Sequence, residues 1–286
     1  MSDPVLEATK APAVAELRGE LLRQWGSSEV WRLSFGLNSV IVKRGTDGQA
    51  DEAAAYERFV VPLELPAPAL IHRYRSGGAG ILVLEDVGRV TLEQEPTADG
   101  FLAAAELAAR IRSQATAGTR APTSSPSSPG ASEFPPERVK ELADRIGRIG
   151  FDLGPLTEAL AGLHRDAPTA VVHGDFVPKN LVTDGRRWTA IDWPGAYLAP
   201  HLSDLYTLLR DAVALSHDRE PIVARYVEAA GADPALVERQ LLVGGGCFYL
   251  VALTFVVEEG LRTIPESAGW IDGLLSELED VVGALA

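Results

Sequence analysis

One short stretch constrains the fold more than any other, because it sets three oxygen-bearing side chains at fixed spacing. In HGDFVPKN, residues 173–180, Asp175 precedes Asn180 by five residues, and Asp192 follows Asn180 by twelve. The apolar pair before this stretch predicts a buried strand, and a strand–turn–strand hairpin around Gly185 would bring Asn180 and Asp192 to one end. A loop aspartate that accepts a proton, with an amide and a carboxylate that hold Mg²⁺, is typical of phosphoryl transfer from ATP.

Neighbouring polar residues have plainer interpretations as well. Asp175 taken alone is equally consistent with an ordinary loop turn, and only the spacing to its two partners favours chemistry. His173 is interpreted as hydrogen-bonding the loop backbone rather than as a metal ligand or base. Asp204 opens a predicted helix, where a carboxylate is favourable at the N-terminus.

A lysine and a glutamate upstream form a second candidate pair. Lys43 ends the apolar strand at residues 40–42, from which its side chain can reach the α- and β-phosphates of a nucleotide. Glu52, near the start of the next helix, is the best carboxylate to hold it, and Glu57 is the second choice. The alternative is a solvated strand end and a glutamate that merely favours a helix N-terminus.

A small-residue loop precedes the first clear strand. Backbone N–H groups in such a loop can approach phosphates. The loop consists of Gly26, Ser27 and Ser28. A second turn, at residues 35–36, is a rival location for the same role.

The pattern along the chain predicts an α+β fold with a small β-rich N-lobe at residues 1–88 and a larger helical C-lobe at 89–286. A first helix is predicted at 12–25 and another at 51–60, with strands at 29–34, 39–43, 69–74 and 81–84. Further helices are predicted at 97–112, 137–149, 153–164, 203–216, 220–230, 235–259 and 268–284. Residues 113–136 are rich in Ser, Thr, Pro and Gly, which predicts a flexible insert.

Composition narrows the possible partners and location. The net charge of −14 disfavours nucleic acid and anionic membrane surfaces, which bind basic faces. The single cysteine, Cys247, excludes a disulfide within the chain and fits a reducing cytoplasm. Residues 1–4 lack the features of a secretion signal. The apolar run 241–257 is too short for a typical membrane span and contains glycines, so a buried helix is expected.

The HGDFVPKN stretch followed by Ile191-Asp192-Trp193 resembles the aminoglycoside phosphotransferase and choline kinase-like group, which has a protein kinase-like two-lobed fold. The resemblance extends upstream to residues 26–31, 40–43, 52–55, 65–68 and 82–86. It implies that Asp175 is the catalytic base and that Asn180 and Asp192 bind Mg²⁺. The sequence departs from the family pattern at Pro194, where many members carry another carboxylate.

The same resemblance assigns the nucleotide-binding residues. It implies that Lys43 contacts the phosphates with Glu52 as its partner, and that Asp204 braces the catalytic loop from below. Two further groups are implied. They are a nucleotide loop at Gly26, Ser27 and Ser28, and a hinge at Glu85 and Val87 whose backbone meets adenine.

An ATP- and Mg²⁺-dependent O-phosphotransferase is therefore expected. Only eleven residues separate Asp192 from Asp204, which favours a small-molecule acceptor over a protein. The leading acceptor is an aminoglycoside-type amino sugar, which would imply antibiotic resistance; acidic residues Asp211, Glu258 and Glu259 could bind its ammonium groups. The alternatives are a metabolic kinase for a sugar, a choline-like alcohol or another natural product, and a kinase-like module that binds nucleotide without catalysis. A monomer or homodimer is expected.

Overall fold

The computed structural model describes residues 17–25, 28–46, 52–76, 79–118 and 133–286. These form two compact units. The first contains the described residues up to Glu95 together with Lys179–Gly195, and the second contains Pro96–Pro178 and Ala196–Ala286. The predicted α+β organisation, one small β-rich lobe and one mainly helical lobe, is confirmed. The predicted boundary between residues 88 and 89 stays a prediction, although the 179–195 hairpin packs with the first unit.

In the described part of the first unit, antiparallel strands form a five-stranded sheet in the order β1-β2-β3-β5-β4. The strands are β1 (Arg18–Trp25), β2 (Ser28–Phe35), β3 (Asn38–Thr46), β4 (Leu70–Ser76) and β5 (Ala79–Glu85). Strands β2 to β5 match the predicted ones. Buried Leu33, Val40, Val42 and Val83 form a core on one face of this sheet, as expected for strands that alternate apolar and polar side chains.

The first strand corrects the prediction of a helix at residues 12–25. Residues 18–25 form β1 instead, and residues 12–16 lie outside the described residues. Leu17, Leu21 and Leu22 have helical spacing, but Leu21 and Leu22 are 44% and 40% exposed. The spacing therefore marks no buried helix face, and backbone pairing with β2 decides the conformation.

The described part of the first unit also contains a helix and a second, smaller sheet. Helix α1 begins with the α-helical turn Glu52–Ala55 and continues as a π-helical turn, Tyr56–Val60. A second sheet joins β6 (Val90–Thr91), β8 (Leu181–Thr183) and β9 (Trp188–Ala190) in the order β6-β8-β9. Its β8–β9 hairpin follows the HGDFVPKN stretch directly.

The second unit is mainly helical. Its longer described helices are α2 (Ala98–Gly118), α3 (Glu137–Ile146), α4 (Gly154–Asp166), α5 (Ser203–Ala214), α6 (Arg219–Ala230), α7 (Pro234–Phe255) and α8 (Ile271–Leu285). Short helical turns at Val256–Gly260, Leu261–Thr263 and Pro265–Trp270 lie between α7 and α8. A short antiparallel pair joins β7 (Ala170–Val172) and β10 (Tyr197–Ala199), and the segment that contains Asp175 follows β7.

The structure corrects the prediction of a flexible insert at both ends of residues 113–136. Helix α2 continues to Gly118, and Phe134 is buried in the core of the helical unit. Residues 119–132 lie outside the described residues. The Ser/Thr/Pro/Gly composition therefore did not show where helix α2 ends.

Helix α7 is the long apolar helix expected from the run 241–257. Together with its helical continuation to Thr263 it is long and apolar enough to cross a membrane, judged by length and composition alone. However, 67% of its most apolar window is buried inside the protein, and Leu250 and Leu253 are fully buried in the core. This pattern supports the predicted core helix. Cys247, on the same helix, is fully buried, and burial raises the pKa of its thiol.

Glycine lets α7 approach α5 at close range. A Cβ atom at Gly244 would lie 2.5 Å from the Ser203 nitrogen and 2.6 Å from the Leu202 carbonyl carbon. Real Cβ atoms do not approach backbone so closely, so only glycine fits without moving one helix. The start of α5 is thereby fixed against the middle of α7.

Candidate active site

The β8–β9 hairpin brings Asn180 and Asp192 to one end, as the spacing predicted. A 3₁₀ turn, Pro178–Asn180, leads directly into β8, and the Ile191 N–H donates to the Asn180 carbonyl at 2.9 Å. Asp192 follows at once with a left-handed φ of 71°. At the far end, the Asp184 carboxylate accepts backbone N–H groups of the turn, so its role is in turn geometry.

Lys43 lies between two carboxylates. Its ammonium group forms an ion pair with Glu52 and lies 2.7 Å from Asp192 Oδ1. Burial opposes the charge of Lys43, but attraction to Glu52 and Asp192 outweighs it, so the pKa of Lys43 is raised above 10.5. The buried Glu52 also accepts the Trp193 N–H at 3.3 Å. Strand β3, helix α1 and the hairpin therefore meet at this lysine.

Glu57, the second choice as partner for Lys43, is engaged elsewhere. It forms an ion pair with Arg73 on β4. Glu52 is therefore the glutamate that pairs with Lys43 in the structure.

A cavity of about 320 Å³ lies beside Lys43 in the first unit; we call it the Lys43 cavity. Its volume is at the lower end of the usual range for small-molecule sites. Predicted site residues Lys43, Glu52, Glu85, Val87, Asn180 and Asp192 line it, together with Leu22, Arg23, Val30, Arg32, Ile41, Pro68, Leu84, Asp86, Gly88, Arg89, Thr91, Gln94, Lys179, Val182 and Ile191.

The predicted nucleotide loop is only partly described. Gly26 and Ser27 lie outside the described residues, and Ser28 is the first residue of β2. Ser28 is not among the described residues that line the Lys43 cavity. The rival turn contains Gly36, with a left-handed φ of 59°, and joins β2 to β3. Hairpin geometry accounts for that turn.

Sequence reasoning missed a buried ion pair in the wall of the Lys43 cavity. Arg32 donates to both carboxylate oxygens of Asp86, at 2.7 and 3.2 Å, and to the Gly88 carbonyl at 2.9 Å. Ser39 adds a hydroxyl donor at 2.6 Å. Burial opposes the charge of Asp86, but the hydrogen bonds from Arg32 and Ser39 outweigh it, so the pKa of Asp86 lies below 3.8. The partners are 54 residues apart, and no local pattern links them.

This ion pair also fixes the chain where it leaves β5. Gly88 has a φ of 138°, and a Cβ atom there would lie 2.1 Å from the Thr183 carbonyl oxygen. Glycine alone permits this approach. The segment that Arg32 and Asp86 hold therefore rests directly on the hairpin that carries Asn180 and Asp192.

We expect Arg32→Met to lower the free energy of unfolding by about 2 kcal/mol, because it leaves a largely buried carboxylate with fewer donors. Urea unfolding followed by circular dichroism measures the change. Arg44→Met is the matched control, since Arg44 is 58% exposed and its glutamate contact spans 3.8 Å. Equal stability of the two variants would contradict a structural role for the Arg32–Asp86 pair.

The loop that carries Asp175 is braced within the second unit. The Asp204 carboxylate accepts the backbone N–H groups of His173 and Gly174 at 2.6 and 3.0 Å. Burial raises the pKa of Asp204, even though His173, these donors and Arg112 pull it in the opposite direction. His173 is fully buried, and its Nδ1 atom accepts the Asp175 N–H at 3.3 Å. Both arrangements fit the bracing roles expected for His173 and Asp204.

The hairpin offers oxygen ligands suited to Mg²⁺. Asn180 supplies a neutral amide oxygen and Asp192 an anionic carboxylate, the donor types that this ion prefers. Among the described residues, no group of three or more His, Cys, Asp or Glu side chains could hold a metal ion. Asn180 and Asp192 together fit Mg²⁺, which is usually bound by one or two protein oxygens and keeps several waters.

The sequence from residue 20 to residue 241 matches the family model described as "Phosphotransferase enzyme family". This match spans well over half of the chain. The chain belongs to this phosphotransferase family. No curated protein matches the sequence of this phosphotransferase significantly.

Solved structures share the fold of the phosphotransferase at low sequence identity. A thermostable mutant of aminoglycoside phosphotransferase APH(4)-Ia, in a ternary complex with ADP and hygromycin B, is 17% identical with a TM-score of 0.60, covering 99% of this chain and 98% of that one. A putative fructosamine-3-kinase from Haemophilus somnus 129PT is 14% identical with a TM-score of 0.63, covering 98% and 95%. A choline/ethanolamine kinase family protein from Mesorhizobium loti is 14% identical with a TM-score of 0.59, covering 94% and 92%. The predicted protein kinase-like fold is confirmed.

The acidic residues expected to bind ammonium groups already have cationic partners in the phosphotransferase. Asp211 Oδ1 lies 2.7 Å from Arg210, and Glu258 accepts from Arg145 at 2.6 Å. Glu259 lies at the limit of an ion pair, 4.0 Å from an arginine one turn later. These contacts give the three carboxylates ionic partners within the protein, so a cationic acceptor would compete with arginines for them.

Proposed function

We propose that the protein is an ATP- and Mg²⁺-dependent O-phosphotransferase that transfers the γ-phosphoryl group to a hydroxyl of a small molecule. The observation that carries this proposal is the position of Lys43. It is held between Glu52 and Asp192 beside a cavity that Asn180 also lines. A partly buried lysine with a raised pKa stays charged at neutral pH, as a phosphate contact requires.

Each residue has a distinct role in the proposed reaction. Lys43 binds the α- and β-phosphates, and Asn180 and Asp192 hold Mg²⁺. The ion neutralises charge on the phosphates when it is bound. Asp175 orients the acceptor hydroxyl and accepts its proton late, because the transition state is loose. The γ-phosphorus forms a bond to the acceptor oxygen as its bond to the ADP oxygen breaks.

The arrangement around Asp175 supports this role. Asp204 fixes two backbone N–H groups of the preceding residues, and Thr207 donates to the Phe176 carbonyl at 3.1 Å. The loop is therefore held from both sides of Asp175. A positioned base contributes more than a mobile one, since orientation is part of the barrier it lowers.

Two acceptor classes remain. An aminoglycoside-type amino sugar is suggested by the shared fold with the APH(4)-Ia structure, which contains hygromycin B. A metabolic alcohol is favoured by the pairing of Asp211 and Glu258 with arginines. Since only eleven residues separate Asp192 from Asp204, a small acceptor of either class is the proposal. A cytoplasmic location and a monomer or homodimer are proposed with it.

An acceptor panel read by ADP release tests the proposal. We expect at least one small alcohol to raise ADP release well above the acceptor-free rate, and only in the presence of Mg²⁺. Aminoglycosides, hexoses, fructosamines and choline-like alcohols should be compared at equal concentration, with Asp175→Asn as the background. Turnover of a sugar without turnover of any aminoglycoside would reject the leading acceptor. Nucleotide binding with no turnover by any acceptor would favour a non-catalytic module.

A further inference from the structure

We propose that Arg23 is a second cation that binds the phosphates of the nucleotide in the Lys43 cavity. This inference rests on the proposed function, because it assigns one more contact to the same nucleotide site.

The register of the sheet places Arg23 in line with Lys43. Arg23 on β1 pairs with Val30 on β2, and Val30 pairs with Lys43 on β3. Residues directly opposite each other in antiparallel strands project to the same face of the sheet. All three line the Lys43 cavity. Two strand spacings, about 10 Å in total, separate Arg23 and Lys43 across the sheet, a distance that a polyphosphate chain can span.

A β-bulge explains why an arginine on an exposed edge strand faces the cavity. The pairing of β1 with β2 shifts between Leu21 and Arg23, so Leu22 is the additional residue. Adjacent strand residues normally point to opposite faces, yet Leu22 and Arg23 both line the cavity. Bulges commonly re-aim side chains at sheet edges near functional sites. Here the bulge adds a charged side chain to the wall beside an apolar one.

A second row of residues paired across the strands also lines the cavity. It lies two residues further along β2 than the row that contains Arg23 and Lys43. Arg32, Ile41 and Leu84 are opposite one another on β2, β3 and β5, and Asp86 holds the charge of Arg32. That row belongs to the hinge end, where Glu85 and Val87 are proposed to meet the base. The row of Arg23 therefore belongs to the phosphate end, which Lys43 marks.

Charge at the phosphate end favours an additional cation. Lys43 faces two carboxylates, Glu52 and Asp192. This group of three side chains has more negative than positive charge, and a triphosphate adds further negative charge. A guanidinium is well suited to the site, because its planar set of donors can bind two phosphate oxygens at once.

Isothermal titration calorimetry on Arg23→Gln tests this proposal with two ligands, a non-hydrolysable ATP analogue in the presence of Mg²⁺ and adenosine. We expect the variant to bind the analogue about tenfold more weakly, the effect of one lost charge-assisted contact. Adenosine affinity should not change, since adenosine has no phosphate. The difference for the analogue should shrink as salt is raised. Arg18→Gln is the matched control, with the same charge change on the same strand but at a residue outside the cavity lining.

The outcomes separate this inference from the proposed function. If the wild-type protein bound the analogue and Arg23→Gln bound it equally well, Arg23 would have no phosphate contact, and the proposed function would stand. An equal loss of affinity for the analogue and for adenosine would show a change in β1 rather than a lost charge contact, and would also overturn the inference. If the wild-type protein failed to bind the analogue, the nucleotide site itself would be wrong, and this inference with it.

Discussion

Replacing Asp175 by asparagine is expected to lower kcat at least about 100-fold, the scale of lost acid–base assistance. Asparagine keeps the shape of the side chain and one acceptor oxygen, but it cannot accept the hydroxyl proton. The affinity for ATP should stay near that of the wild type, because none of the proposed contacts of ATP involves Asp175. Steady-state ADP release with the best acceptor of the panel measures kcat, and calorimetry measures nucleotide binding.

A second aspartate provides the control for this experiment. Asp184 stands in the turn of the β8–β9 hairpin, and its carboxylate accepts the backbone N–H groups of Arg186 and Arg187. Asp184→Asn makes the same chemical change near the same segment of chain and should leave kcat unchanged. Comparable rates for Asp175→Asn and Asp184→Asn would remove Asp175 from the reaction.

Replacing Asp192 by asparagine is expected to lower turnover at least about 100-fold, because it removes an anionic ligand of Mg²⁺ where phosphate charge must be stabilised. Asparagine is the better replacement, since the φ of 71° at this position is one that asparagine adopts more readily than alanine. Nucleotide affinity should lose most of its dependence on Mg²⁺. Calorimetric titration of ATP with and without Mg²⁺ measures that dependence directly.

The fold should survive this change, because Lys43 keeps its ion pair with Glu52. Thermal unfolding of the variant checks that point. Asp192→Ala should be less stable than Asp192→Asn, owing to backbone strain at the positive φ. Undiminished Mg²⁺ dependence in a folded Asp192→Asn protein would show that the ion is held elsewhere.

The sequence was most informative where local chemistry and spacing coincide. Alternating side chains predicted β2, and apolar residues beside turns predicted β3 to β5. The turn at Gly185 with its flanking strands predicted the meeting of Asn180 and Asp192. The preference for Glu52 over Glu57 also followed from position, since a residue at the start of a helix next to β3 can reach the end of that strand. These features depend on neighbours within a few residues or on one hairpin.

Features that depend on tertiary pairing could not be predicted in the same way. Strand β1 has leucines at helical spacing, and only its pairing with β2 shows that it is extended. Arg32 and Asp86 are distant in sequence, so their ion pair became visible only when β2 and the end of β5 were placed together. The bulge that aims Arg23 at the cavity is a property of register, which a single strand does not reveal.

The close packing at Gly244 links the interior of the helical unit to catalysis. Its neighbour Ser203 immediately precedes Asp204, the residue that holds the backbone before Asp175. Any side chain introduced at Gly244 would displace the start of α5 and, through Asp204, the proposed base. A random-mutagenesis screen for activity would therefore identify Gly244 as a position that activity requires. This glycine is nevertheless buried on α7, whereas Asp204 lies on α5.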